Sequence, residues 1–92
     1  MKAILTYTNI IDGKEVEEIR LFDTKKAEKI CDVTNTFGIK MQEIYITKKG
    51  TIFLYNVNKE ILEMVDQAQI KAWIGENEPD TYIKFFGEVE EG

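Results

Sequence analysis

The chain has no histidine, one cysteine and one proline in 92 residues. Without histidine, no side chain but the thiol of Cys31 titrates anywhere near neutrality, so imidazole-based acid–base catalysis is excluded. A lone cysteine cannot close an intramolecular disulfide, which favours a reducing compartment. Together the two shortages remove the several nitrogen and sulfur ligands that a structural zinc requires. One proline and six glycines leave little material for a linker. The opening Met1–Leu5 turns polar at Thr6, short of the roughly 7–15 apolar residues of a signal peptide. No run approaches a membrane span. These absences point to a cytoplasmic protein with no metal and no cofactor.

What is present describes one globular domain over residues 1–92. Apolar residues make up 43% of the chain, charged residues 32%, and there are five Phe, four Tyr and one Trp. That composition supports a real core in a domain of this size.

The charge is distributed unevenly. The formal net charge is −5, and residues 1–75 sum to zero. The excess lies in Glu76, Glu78, Asp80, Glu88, Glu90 and Glu91, set against Lys84 alone. Such a field repels nucleic acid and anionic lipid and attracts basic surfaces. Direct nucleic-acid binding is therefore disfavoured.

Residues 3–9 and 15–22 flank Asp12-Gly13, a hairpin signal. Asp23-Thr24 offers a helix N-cap, and Ala27, Ile30, Cys31, Thr34 and Phe37 fall at helical spacing before Gly38. This predicts a first helix with Cys31 on its buried stripe. Residues 43–47 and 51–55 flank Lys48-Lys49-Gly50, the chemistry of a type I turn closed by a bulge. Residues 58–75 read either as one helix capped by Asn58, or as a strand over 60–65 and a helix begun by an Asp66–Gln69 capping box. The second reading is preferred, because it gives Asp66 a structural role. Pro79 suits the first position of a last helix bearing Tyr82, Phe85 and Phe86, and Gly87 ends it. Residues 88–92 form an acidic tail, expected to be mobile. The fold class is α+β: an antiparallel sheet of four or five strands with three helices on one face.

No Gly-rich phosphate loop, nucleophile elbow or calcium loop is present, and no residue is assigned a catalytic role. Lys48 and Lys49 are either solvated turn residues or an anion site. With Lys25, Lys26 and Lys29 they would form the basic face of a small nucleic-acid-binding accessory protein. Trp73 and the Tyr82–Phe86 cluster are either core or an exposed recognition patch. Their helical spacing favours core.

The stretches Ile46-Thr47-Lys48-Lys49-Gly50-Thr51-Ile52-Phe53-Leu54, Ala72-Trp73-Ile74-Gly75-Glu76-Asn77 and Tyr82–Glu91 resemble small uncharacterised bacterial proteins of accessory and mobile elements. The resemblance covers roughly residues 44–91 and carries no defined site residues. It implies a non-catalytic inhibitor of a host defence enzyme, of the anti-CRISPR kind, that occupies a nucleic-acid-handling surface. The expectation is therefore a protein-binding module. Its basic partner would meet Glu76, Glu78, Asp80, Glu88, Glu90 and Glu91 beside the aromatic helix. A homo-oligomeric structural module is the remaining alternative.

Overall fold

The computed structural model describes residues 1–90 and Gly92. It is α+β, with six strands and two helices. In chain order they are β1 (Lys2–Ile11), β2 (Lys14–Asp23), β3 (Glu28–Thr34), β4 (Lys40–Ile46), β5 (Ile52–Asn56), β6 (Ile61–Met64), α1 (Gln67–Asn77) and α2 (Pro79–Phe86). Strands β1 and β2 make a separate two-stranded sheet, while β3-β4-β5-β6 form a four-stranded antiparallel sheet in sequence order.

Local chemistry explains most of the turns. Asp12 and Gly13 both adopt positive φ, 52° and 77°, as a two-residue hairpin turn of the right twist requires. Between β4 and β5, Gly50 N–H donates to Thr47 C=O at 2.9 Å and Thr47 N–H to Thr51 C=O at 2.9 Å. Strand β6 and helix α1 divide residues 58–75 in the preferred way. Asp66 caps α1 by accepting from Gln69 N–H at 2.9 Å. Pro79 opens α2, and Gly87 closes it by donating its N–H to Ile83 C=O.

The predicted first helix does not form, so there are two helices rather than three. Residues 24–27 turn, and 28–34 are β3. The pairs Lys29↔Tyr45 and Cys31↔Ile44 leave Ile30 as an extra residue opposite nothing, a β-bulge. The bulge lets the adjacent Ile30 and Cys31 both join the core on the helix side. Two neighbouring residues on one face look helical in sequence. Thr24 is no N-cap: it accepts from the amino terminus at 2.9 Å, while Asp23 accepts from Lys25 N–H at 3.0 Å. Phe37, assigned to the buried stripe, is 86% exposed in the β3–β4 loop.

The four-stranded sheet is covered on both faces. On one, Ile44, Ile52 and Leu54 meet Ile70, Trp73 and Ile74 of α1 and Tyr82, Phe85 and Phe86 of α2. This puts Trp73 and the aromatic cluster against the core, partly buried. On the other, Phe53 and Leu62 meet Phe22, Leu5 and Tyr7 of the hairpin. The Phe22 and Phe53 rings lie 5.1 Å apart, and Tyr45 stacks on Phe53 at 5.5 Å. Burying one such side chain contributes about 1.5–3 kcal/mol. The hairpin is thus a third layer, held by the inward side chains of its first half. No helix among the described residues is long and apolar enough to cross a membrane.

Candidate functional site

The docked hairpin leaves a cleft of about 280 Å³ between β2, the 24–27 turn and the β4–β5 turn. Its walls are Phe22, Ala27, Thr47 and Thr51, and its cations are Arg20, Lys26, Lys48 and Lys49 against one acid, Asp23. Two further hollows continue it. One runs past Lys26 and Lys48 to Phe85 at the end of α2. The other runs past Arg20 and Lys49 to Lys71 on α1. The result is a band of four cations about the β4–β5 turn, with Lys71 beyond it over the Phe86 ring at 5.0 Å, and with Glu18 and Glu28 also in the lining.

Each cation is placed by a nearby element. Lys48 and Lys49 occupy the turn that Gly50 closes, so their side chains are exposed. Lys26 belongs to the turn that stands in place of the expected helix; Lys25 and Lys29 do not line the cleft. Arg20 faces the core side of β2 beside Glu18, with Nη2 3.2 Å from Oε2. Glu18 also accepts from the Tyr7 hydroxyl at 2.9 Å, and this bond is the main cause of the raised Tyr7 pKa. Arg20 is therefore half-neutralised. Among the described residues, Lys26, Lys48, Lys49 and Lys71 have no carboxylate within 4.0 Å, since the ion pairs use Arg20, Lys29 and Lys40.

The acids singled out in the sequence lie towards both ends of α2. Glu76 is in the last turn of α1, Glu78 joins the helices, and Asp80 is in the first turn of α2. Glu88 and Glu90 follow Gly87, beyond the other end of α2, whose eight residues span about 12 Å. All five are exposed, and none has a basic partner among the described residues. Glu91 lies outside the described residues. Beside α2 runs a groove of about 540 Å³ lined by Ala72, Gly75, Pro79, Tyr82, Ile83 and Val89, with Lys71 as its one cation.

A second polar network lies across β3 and β4. Lys40 Nζ is 2.9 Å from Glu43 Oε2 and 3.7 Å from Asp32 Oδ2, and Lys29 Nζ is 2.9 Å from Asp32 Oδ1. The Tyr45 hydroxyl donates to Glu43 Oε1 at 2.6 Å. Hydrogen bonds from Tyr45 and Lys40 hold the Glu43 carboxyl below its usual pKa. Burial, then the bond to Glu43, pushes Tyr45 up to about 12. Two cations face two carboxylates here, and the ion pairs tie β3 to β4, although Asp32 Oδ1 accepts no hydrogen bond among the described residues. Cys31 is partly buried, and burial followed by the charges of Glu78 and Asp32 raises its thiol to about 11. It is not a nucleophile at neutral pH. No group of three or more His, Cys, Asp or Glu able to hold a metal ion occurs among the described residues.

Sequence reasoning named Lys26, Lys48 and Lys49 but missed Arg20 and Lys71, which only the docking of hairpin and helix brings alongside. Comparison with protein-family models, curated proteins and solved structures finds no match.

Proposed function

We propose that this chain is a non-catalytic binding protein that takes an anionic group carried on an apolar body into the cleft beneath β2. The observation that carries this reading is the gathering of Lys26, Lys48 and Lys49 around an apolar cleft, with no carboxylate within 4.0 Å among the described residues, in a chain of net charge −5. A protein with 17 acids for 12 bases has ample acid to pair these lysines. Apolar walls with a few convergent charges are the usual make-up of a small-ligand site. A long polyanion fits less well. Tyr7 is the only partly exposed ring lining the cleft, whereas single-strand binding relies on successive stacking rings.

The test is calorimetric titration with dodecyl phosphate, dodecanol, inorganic phosphate and a short single-stranded oligonucleotide. Dodecyl phosphate is expected to bind with salt-sensitive affinity, and dodecanol and phosphate not to bind detectably. Lys48→Glu/Lys49→Glu should weaken binding at least tenfold, through the loss of screened charge attraction. Equal binding by that variant sinks the proposal. Preference for the oligonucleotide replaces it with the accessory-protein reading.

A second reading keeps the acidic end as a protein interface. Its support is Glu76, an acid in the last turn of α1, where no basic residue stands and the helix dipole disfavours negative charge. An acid placed against folding, beside an apolar groove, suits a basic partner, as the resemblance to defence inhibitors also implies. Changing Glu76, Glu78, Asp80, Glu88, Glu90 and Glu91 to Gln moves the formal charge from −5 to +1, because six negatives are removed. A partner captured from a host lysate should then associate more slowly and with less salt dependence. Unchanged association at low salt counts against this interface.

A further inference from the structure

The outward face of the β1–β2 hairpin carries four exposed large apolar side chains among polar ones. Ile4 is 71% exposed, Ile10 70%, Ile19 66% and Leu21 55%, all on the side opposite the core-facing Leu5, Tyr7 and Phe22. The register runs through ten pairs from Lys2↔Asp23 to Ile11↔Lys14 without a shift.

We propose that this face is an interface with a second copy of the chain. The rows across the face are Lys2/Asp23, Ile4/Leu21, Thr6/Ile19, Thr8/Glu17 and Ile10/Glu15. A two-fold axis along the strands lays β1 of one copy over β2 of the other. Lys2 then meets Asp23 of the second copy twice over, Ile4 meets Leu21, Thr6 meets Ile19, Thr8 meets Glu17 and Ile10 meets Glu15, so the far rows set a polar or apolar side chain against an acid, but no like charges face each other. A two-fold axis across the strands instead sets Asp23 over Glu15, acid on acid, and Leu21 over Glu17. Charge complementarity therefore selects both the partner and its direction, with the slight rotation that twisted sheets impose.

The area sets the strength. Ten residues at about 3.3 Å each, across two strands, give a face on the order of 350 Å² per copy. A standard stable interface buries about 800 Å² per partner. The dimer is accordingly reversible and depends on concentration.

Sedimentation across a dilution series into the millimolar range tests this, with circular dichroism on every variant to confirm folding. The parent is expected to dimerise. Lys2→Glu and Asp23→Lys should each raise the dissociation constant at least tenfold, because the first sets acid against acid across the interface and the second sets base against base. Mixing these two variants should restore the dimer, since each facing pair is again opposite in sign. Asp23→Lys also removes the bond to Lys25 N–H, so Ile4→Lys serves as a variant that leaves the turn intact, and it too should be monomeric. A parent that stays monomeric throughout overturns the proposal. So does an Ile4→Lys variant that dimerises like the parent, or a folded mixture that does not associate. Charge reversal at Lys48 and Lys49 should leave the dimer unchanged, which keeps this result separate from the anion cleft.

Discussion

The side chain of Gln67 completes the backbone of Ile52. Its Oε1 accepts from Ile52 N–H at 2.7 Å, and its Nε2 donates to Ile52 C=O at 2.8 Å. Nε2 also donates to Val65 C=O at 3.1 Å. The first residue of α1 thus acts as a short strand partner for the fully buried start of β5. It ties the helix layer to the sheet where the cationic band passes from Thr51 towards Lys71.

Replacing Gln67 should therefore cost stability out of proportion to its size. Gln67→Ala leaves the Ile52 N–H without its partner, at about 1–3 kcal/mol. Gln67→Glu keeps the acceptor but turns a negative oxygen towards two carbonyls, which raises the pKa of the new carboxyl. A group whose folded pKa is raised stabilises below its unfolded value, about 4.3 for Glu, and loses that contribution as pH rises. Urea denaturation should show Gln67→Glu well below the parent at pH 7 and close to it at pH 4. A constant gap at both pH values would contradict the two-bond clamp.

The turns and the second half of the chain are legible in the sequence because their signals are local. Asp12-Gly13, Lys48-Lys49-Gly50 and Pro79 each dictate backbone geometry within a few residues, and Asp66 marks where β6 gives way to α1. Residues 24–37 mislead because one bulged residue, Ile30, changes the side-chain period. A strand with two neighbours facing one way shares its spacing with a helix, and only pairing with β4 resolves the ambiguity. The cleft is half legible. Lys48 and Lys49 stand out as basic turn residues and Lys26 as a basic residue of the expected helix, but nothing local shows that a separate hairpin covers the sheet and brings Arg20 to them. Gln67 gives no signal as a cross-layer clamp, since Ile52 lies fifteen residues back along the chain. The acidic end reads as one surface because its residues are close in sequence, and the fold sets them towards the two ends of α2.

The Lys40–Glu43–Tyr45 network gives the fold an acid sensitivity with a defined sign. The Glu43 pKa is lowered, first by the Tyr45 hydroxyl and then by Lys40. A carboxylate with a depressed folded pKa stabilises above its unfolded value and loses that contribution as pH falls through the folded one. Glu43→Gln should cost about 1 kcal/mol at pH 7, where two charge-assisted bonds weaken, one of them to the exposed Lys40. The difference from the parent should shrink as pH falls below the unfolded value of about 4.3 and through the lower folded one. Denaturation midpoints at pH 7, 5 and 3 measure it, and a gap that widens in acid would show that Glu43 is not the stabilising group.

Cys31 supplies the last prediction, and it separates burial from charge. Its thiol is raised to about 11, with burial first among the causes and Glu78 second. At pH 8 the thiolate is then on the order of one molecule in a thousand, against about a quarter for an unperturbed thiol of pKa ~8.5. Disulfide-exchange labelling follows thiolate fraction and access, so native protein should react at least a hundred times more slowly than protein unfolded in urea. Because burial leads, Glu78→Gln should speed native labelling only a few-fold. A local opening of β3 should matter more, so labelling should rise steeply in a variant that loosens the α1 contact, such as Trp73→Ala. Stability should also fall as pH rises from about 9 towards 11, since the unfolded thiol loses its proton first. Native and unfolded rates within tenfold of each other would mean that Cys31 is open to solvent and that the bulge at Ile30 does not turn it inward.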